Sequence, residues 1–180
     1  MIENNIIEKI YCDGACSGNP GNAGTGVILF YENKKVELYY GAFIEHGTNN
    51  IAELNGIYKA LLFVKLDKNN NQIKILADSK YAIDCISKWA FSWSANGWKK
   101  KGGEIKNLEL IQAIFKLYLA LKHRVVFEHV KGHSGDFGNE LADVMARKAI
   151  KMGNYRFERY DYNSLDSVLK EKYWFFCYYI

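Results

Sequence analysis

Ile10-Tyr11-Cys12-Asp13-Gly14-Ala15-Cys16-Ser17-Gly18-Asn19-Pro20-Gly21 lies close to the start of the sequence. An apolar, β-prone run from Ile6 to Cys12 leads directly into a carboxylate, Asp13. The glycines, Asn19 and Pro20 make residues 14–23 read as a turn, and Gly26 to Tyr31 reads as the next strand. A carboxylate where a buried strand gives way to a turn is costly unless hydrogen bonds or a cation satisfy it. Such a carboxylate calls for a cation or for other polar groups from elsewhere in the chain.

Working outward, residues 6–13, 24–32 and 35–44 form a predicted meander of three strands. A helix begins after Thr48 or Asn49, both good capping residues. Ile51, Leu54, Ile57, Tyr58, Leu61, Leu62 and Val64 then follow a helical period. Ile73 to Ala77 is a short strand running into Asp78-Ser79, a strand-to-helix junction. Residues 80–96 are helical in pattern until Asn96-Gly97, a basic excursion follows at 98–103, and another helix covers about 107–122. Arg124 to Lys131 is a strand, 132–138 a glycine-bearing loop, and 139–152 an amphipathic helix.

Three antiparallel strands followed by β-α-β units predict an α/β fold. Its sheet is mixed and five-stranded, three strands antiparallel and two parallel, flanked by helices. Residues 1–152 make the predicted domain. Residues 153–180 form a C-terminal extension that packs on that domain or on a partner. Within it, Asn163-Ser164 caps a short predicted helix with Leu165, Val168 and Leu169. The aromatic run Tyr173-Trp174-Phe175-Phe176-Cys177-Tyr178-Tyr179-Ile180 is too apolar to stay solvated and is a candidate contact surface.

The 180 residues fit one domain, and 49% hydrophobic residues supply an ample core. A net charge of +4 permits an anionic partner without requiring one. The four cysteines form no CxxC pair and no zinc-type cluster, which suits reduced thiols in a cytoplasmic protein. No secretory signal is read at the N-terminus, and no segment approaches the ~20 apolar residues that span a bilayer. Gly21-Asn22-Ala23-Gly24-Thr25-Gly26 has the order GxxGxG and leads into a strand, so it is not a dinucleotide-binding turn.

Four acids stand out. Asp13 and Asp78 end predicted strands, while Glu53 and Asp143 border the apolar faces of their helices. Singly, each reads as a cap, a surface acid or an ion pair. Together they lack a basic residue of comparable predicted burial, and a divalent cation is the economical partner. Hard oxygen ligands suit Mg²⁺, with Mn²⁺ as a substitute.

The chain resembles type 1 ribonucleases H. The resemblance rests on Tyr11 to Gly21, Thr48-Asn49-Asn50-Ile51-Ala52-Glu53-Leu54, Ala77-Asp78-Ser79-Lys80-Tyr81-Ala82-Ile83 and Val130-Lys131-Gly132-His133 through Asp143. It implies an endonuclease that cleaves the RNA strand of an RNA–DNA hybrid with two metal ions. It further implies that Asp13, Glu53 and Asp78 hold one ion and Asp13 with Asp143 the other. His133 would assist proton movement or product departure.

The same resemblance implies that Asn19, Asn49, Asn50 and Ser79 meet the hybrid's minor groove, with Lys80 and Cys16 alongside. Thr48 and Asn107 would grip a phosphate of the DNA strand. Trp89, Trp93 and Trp98 with Lys99-Lys100-Lys101 resemble a basic protrusion that handles the backbone. Ser94-Ala95-Asn96 replaces basic residues common in bacterial members, which shifts the burden to the three lysines. The expectation is a monomer without a separate N-terminal hybrid-binding domain. A non-catalytic hybrid-binding module would have lost one or more of the acids, and all four are present. An integrase- or resolvase-like nuclease would lack the paired Thr48-Asn49-Asn50 and Lys131-Gly132-His133-Ser134-Gly135 stretches.

Overall fold

A computed structural model describes residues 5–176. Its strands are β1 (Ile7–Gly18), β2 (Gly21–Tyr31), β3 (Val36–Gly47), β4 (Ile73–Ala77), β5 (Val125–His129) and β6 (Glu158–Tyr160). They form one mixed sheet in the order β5-β4-β1-β2-β3-β6. The β1–β2, β2–β3 and β3–β6 pairs are antiparallel, and β1–β4 and β4–β5 are parallel. The α/β mixed sheet expected from the sequence is present, with six strands among the described residues instead of five. The added strand comes from the extension, where Tyr160, Arg159 and Glu158 pair with Leu38, Tyr39 and Tyr40. Such pairing satisfies backbone groups that β3 would otherwise leave open at the sheet edge.

The helices are α1 (Asn49–Leu66), α2 (Lys80–Asp84), α3 (Ala90–Ala95), α4 (Leu108–Leu121), α5 (Phe137–Met152) and α6 (Leu165–Phe176). Strand alternation divides the core between the two sheet faces. Ile10, Cys12, Val27 and Leu29 join Leu54, Ile57 and Leu61 of α1 and Ile111 and Ile114 of α4. Tyr11, Ile28, Leu38 and Leu76 join Leu141, Val144 and Met145 of α5 and Val168 of α6. Each fully buried Leu or Ile in these layers contributes roughly 1.5–3 kcal/mol of burial free energy. Among the described residues, no helix is long and apolar enough to cross a membrane.

Two sequence expectations change. Residues 14–23 are not a loop: β1 and β2 stay paired from Gly14↔Thr25 to Gly18↔Gly21, and only Asn19-Pro20 turns the chain. Small residues that look like turn chemistry serve close packing instead. The helix expected over 80–96 is interrupted by a π-helical turn at Cys85–Trp89, where the Ala90 N–H donates to the Cys85 carbonyl. Such widened turns are uncommon and recur at functional sites.

The extension docks through several contacts. Tyr162 donates to the Val36 carbonyl at 2.9 Å, and Val168 is fully buried against α5. Ser164 caps α6 by accepting the Ser167 N–H at 3.2 Å. The contact role expected of the aromatic run falls on residues whose side chains, or whose whole structure at 177–180, lie outside the described part.

Candidate metal centre and active site

Asp13 lies inside β1 rather than at its end. The last parallel pair with β4 is Tyr11↔Leu76, so Asp13 sits where β1 outruns its neighbour. Asp78 directly follows β4, at the same end of the parallel strands, where α/β folds form their crevices. The capping duty is taken by Ser79, which accepts the Ala82 N–H at 3.2 Å, so the Asp78 carboxylate is not consumed as a cap. Glu53 is brought in by α1, whose cap is Thr48, accepting the Ile51 N–H at 3.3 Å.

Close backbone approach makes the convergence possible. A Cβ on Gly14 would lie 2.5 Å from the Glu53 nitrogen, so only glycine lets α1 rest against β1 there. Thr25 pins the same contact by donating to the buried Ala52 carbonyl at 2.9 Å. On the opposite face, a Cβ on Gly26, the cross-strand partner of Asp13, would stand 2.1 Å from the Ala142 carbonyl oxygen. That contact draws α5, and with it Asp143, onto the strand bearing Asp13.

Carboxylate oxygens of Asp13, Glu53 and Asp78 lie within 4.8 Å of one another. Asp13 and Glu53 are only 5% and 4% exposed. Burial first, then the charges of Asp78 and Asp143, raise the Asp13 carboxyl well above its ordinary range. The Gly14 N–H, at 2.7 Å, and Arg147 oppose the rise without cancelling it. Burial and the Asp13 and Asp78 charges likewise push Glu53 up, against the Asn49 amide at 3.3 Å. Three clustered oxygen donors short of positive charge are the donor chemistry of a hard divalent cation. The residues present fit that group.

Asp143 is buried as expected, but its oxygens are outside the three-acid group. Two basic residues, both less buried than the acid itself, nevertheless approach it. Arg147, one turn on, donates to Oδ1 at 2.9 Å, and Lys172 of α6 stands 3.8 Å from Oδ2. The arginine follows the i,i+4 rule, whereas the lysine reaches Asp143 only through the tertiary docking of α6.

His133 is exposed on the loop before α5, with a left-handed backbone at φ 52°. Asn19, Asn49 and Asn50 are exposed, with the Asn49 N–H reaching the Asn19 side chain at 3.4 Å, so the hairpin tip and the start of α1 form one surface. The Cys16 thiol leans on the Gly47 carbonyl at 3.6 Å nearby. Lys80 is exposed and Ser79 half-buried beside Asp78.

Lys99, Lys100 and Lys101 are exposed, with Lys100 bridged to Gly103. Trp93 and Trp98 are half-buried anchors packed on the core, Trp98 edge-on to Phe115 at 5.9 Å, while Trp89 is 39% exposed. Asn107 precedes α4 in a left-handed conformation without using its side chain as a cap.

Two residues beside Asp78 went unassigned in the sequence. Asn139, buried in the first turn of α5, donates to Asp78 Oδ2 at 3.4 Å, and His129 Nε2 meets the Asp78 carbonyl at 3.0 Å. The Asp136 cap on the Asn139 N–H, at 3.0 Å, was the available signal for the first.

Sheet order and site together describe a mixed sheet with a candidate divalent-cation centre of three carboxylates at the end of its parallel strands. The RNase H family profile matches residues 5–151, and the chain belongs to that family, whose members cleave RNA in RNA–DNA hybrids. It is 41% identical over 146 residues to the ribonuclease H of Orientia tsutsugamushi (strain Boryong), spanning 81% of this chain and 83% of that one. LC9-RNase H1, described as a type 1 RNase H with the type 2 active-site motif, superposes with a TM-score of 0.72 at 25% identity. The match covers 91% of this chain and 80% of that one. LC11-RNase H1 in complex with RNA/DNA hybrid shares the fold at 23% identity, with a TM-score of 0.61 and coverage of 81% and 97%.

Proposed function

We propose that this protein is an endoribonuclease that hydrolyses the RNA strand of RNA–DNA hybrids by a two-metal-ion mechanism, leaving 5′-phosphate and 3′-hydroxyl ends. The observation that carries the reading is the meeting of Asp13, Glu53 and Asp78 within 4.8 Å. These three would hold one Mg²⁺ or Mn²⁺ ion, and Asp13 with Asp143 the second. When bound, the ions supply Lewis acidity, making an attacking water more acidic and balancing charge on the leaving oxygen. Asp13, buried between the other acids, is the residue best placed to serve both.

The remaining groups bind and orient. His133, exposed on a loop with glycines at 132 and 135, can reach a bound substrate and move a proton at its ring nitrogen. Cys16, Asn19, Asn49, Asn50, Ser79 and Lys80 offer small polar groups for the 2′-hydroxyl-bearing minor groove, which separates a hybrid from DNA. Thr48 and Asn107 are assigned to a DNA-strand phosphate. Trp89, Trp93 and Trp98 support a protrusion whose lysines face the backbone.

The deciding experiment incubates the purified chain with end-labelled RNA–DNA hybrid, RNA duplex, DNA duplex and single strands, with Mg²⁺ or Mn²⁺. Cleavage confined to the RNA of the hybrid and abolished by chelation is expected. Cleavage of DNA duplex, or none at all, would overturn the assignment.

A further inference from the structure

The second oxygen of Asp143, Oδ2, is buried and accepts no hydrogen bond among the described residues. The Lys172 ammonium stands 3.8 Å from it. Lys172 belongs to the extension, past residue 151 where the family match stops. Its position is set by packing: Val168 is buried against α5, Glu171 accepts from Lys148 at 2.9 Å and from the Tyr160 hydroxyl at 2.7 Å, and the Lys148 ammonium lies over the Tyr160 ring. On α5, Glu140 and Asp143 are three residues apart and share one face. Lys172 pairs with both.

We propose that Lys172 is a positioning residue for Asp143, holding its carboxylate from the extension and competing with a divalent cation for Oδ2. The proposal rests on the assignment of Asp143 as a metal ligand made above. An ammonium and a divalent cation at one oxygen repel each other, so cation binding at Asp143 displaces Lys172. Glu140, which already accepts a hydrogen bond from the ammonium, keeps it as it moves off Oδ2, so the extension stays docked while the oxygen is released. Arg147 keeps Oδ1 in place throughout. The extension thereby raises the cation concentration at which the Asp143 side of the centre fills.

The test is calorimetric titration of the metal-free full chain with Mn²⁺, which reads binding without turnover. The wild type is expected to bind in a tighter and a weaker step. Lys172→Gln tightens the weaker step by about three- to tenfold, the scale of one charge pair between a mostly buried lysine and a buried carboxylate. Lys172→Arg restores wild-type behaviour, and added salt shrinks the difference. Val168→Ala, which loosens α6 while leaving the lysine in place, shifts the same step the same way and covers the case of a misfolded Lys172→Gln. An unchanged weaker step in both variants overturns the proposal, as does an equal shift when Lys172→Gln is placed on Asp143→Asn. Retention of both steps by Asp143→Asn alone instead overturns the ligand assignment, and the competition falls with it.

Discussion

Asn139 donates its side-chain amide to Asp78, Nδ2 to Oδ2 at 3.4 Å, from the first turn of α5 to the end of β4. The asparagine is 2% exposed, and Asp136 fixes the turn that carries it. Asp78 is thus oriented by a neutral donor, which leaves its charge available to a cation. His129 holds the backbone of the same residue at 3.0 Å. One side chain therefore orients the carboxylate of the most exposed member of the three-acid group, and the other holds its backbone.

Asn139→Ala should lower kcat about 10–100-fold, the usual cost of losing a residue that orients a metal ligand. KM for the hybrid should change little, because Asn139 is buried away from the substrate surface. Steady-state kinetics and the Mn²⁺ concentration for half-maximal rate are the measurements; unaltered values in both would remove Asn139 from the site.

Asp13→Asn should abolish cleavage and stabilise the metal-free protein at neutral pH. Burial and the Asp78 and Asp143 charges raise the folded-state Asp13 carboxyl above its ordinary value. The folded chain therefore holds a proton that the unfolded chain releases, so stability falls as pH rises from the ordinary carboxylate range. Below that range both states are protonated, and the advantage of the variant should close. Each ~1 kcal/mol relieved raises Tm by roughly 2–4 °C in a domain of this size. Mg²⁺ should raise the wild-type Tm by mass action and leave the variant nearly unmoved. A variant that melts below the wild type in chelator would contradict this account of the centre.

Asp13, Glu53 and Asp78 were legible in the sequence because each carboxylate breaks an apolar pattern, within a strand, just past one or on a helix's buried side. Asp143 was legible as buried, but its partner Lys172 was not: a lysine in a mixed helix reads as solvated until α6 is seen docked on α5. Glu158-Arg159-Tyr160 carried no strand signal because three polar-to-amphipathic residues have almost no period, and their pairing is dictated by the open edge of β3. Residues 14–18 misread as a loop for the opposite reason. The glycine at 14 is required by α1 lying against it, which is tertiary information. Asn139 and His129 were visible as residues, while the contact of His129 with Asp78 depends on the parallel pairing of β4 with β5, and that of Asn139 on where the first turn of α5 docks.

Replacing Lys99, Lys100 and Lys101 together by Ala should raise KM for the hybrid and leave kcat nearly unchanged, because all three are exposed and none is among the clustered acids. Each lost phosphate contact lowers the slope of log K against log[salt] by roughly 0.7–0.9. Fluorescence-anisotropy titrations over a salt series measure that slope. The same slope in the variant would mean that these lysines do not touch the backbone.

Deleting residues 153–180 should cost several kcal/mol and promote self-association. β6 covers the β3 edge, the Tyr162 hydroxyl caps the Val36 carbonyl, and Val168 fills the α5 face; all three are lost together. Fully burying a Val side chain contributes roughly 1.5–3 kcal/mol, and an uncovered edge strand is a template for pairing with another chain. At roughly 2–4 °C per kcal/mol, the truncated chain should melt well below the full one. Cleavage by the fraction still folded should persist, since Asp13, Glu53, Asp78 and Asp143 all lie before the deleted segment. Thermal melts and light scattering on the two forms provide the check, and matching melting temperatures would show that the extension's packing contributes nothing to the fold.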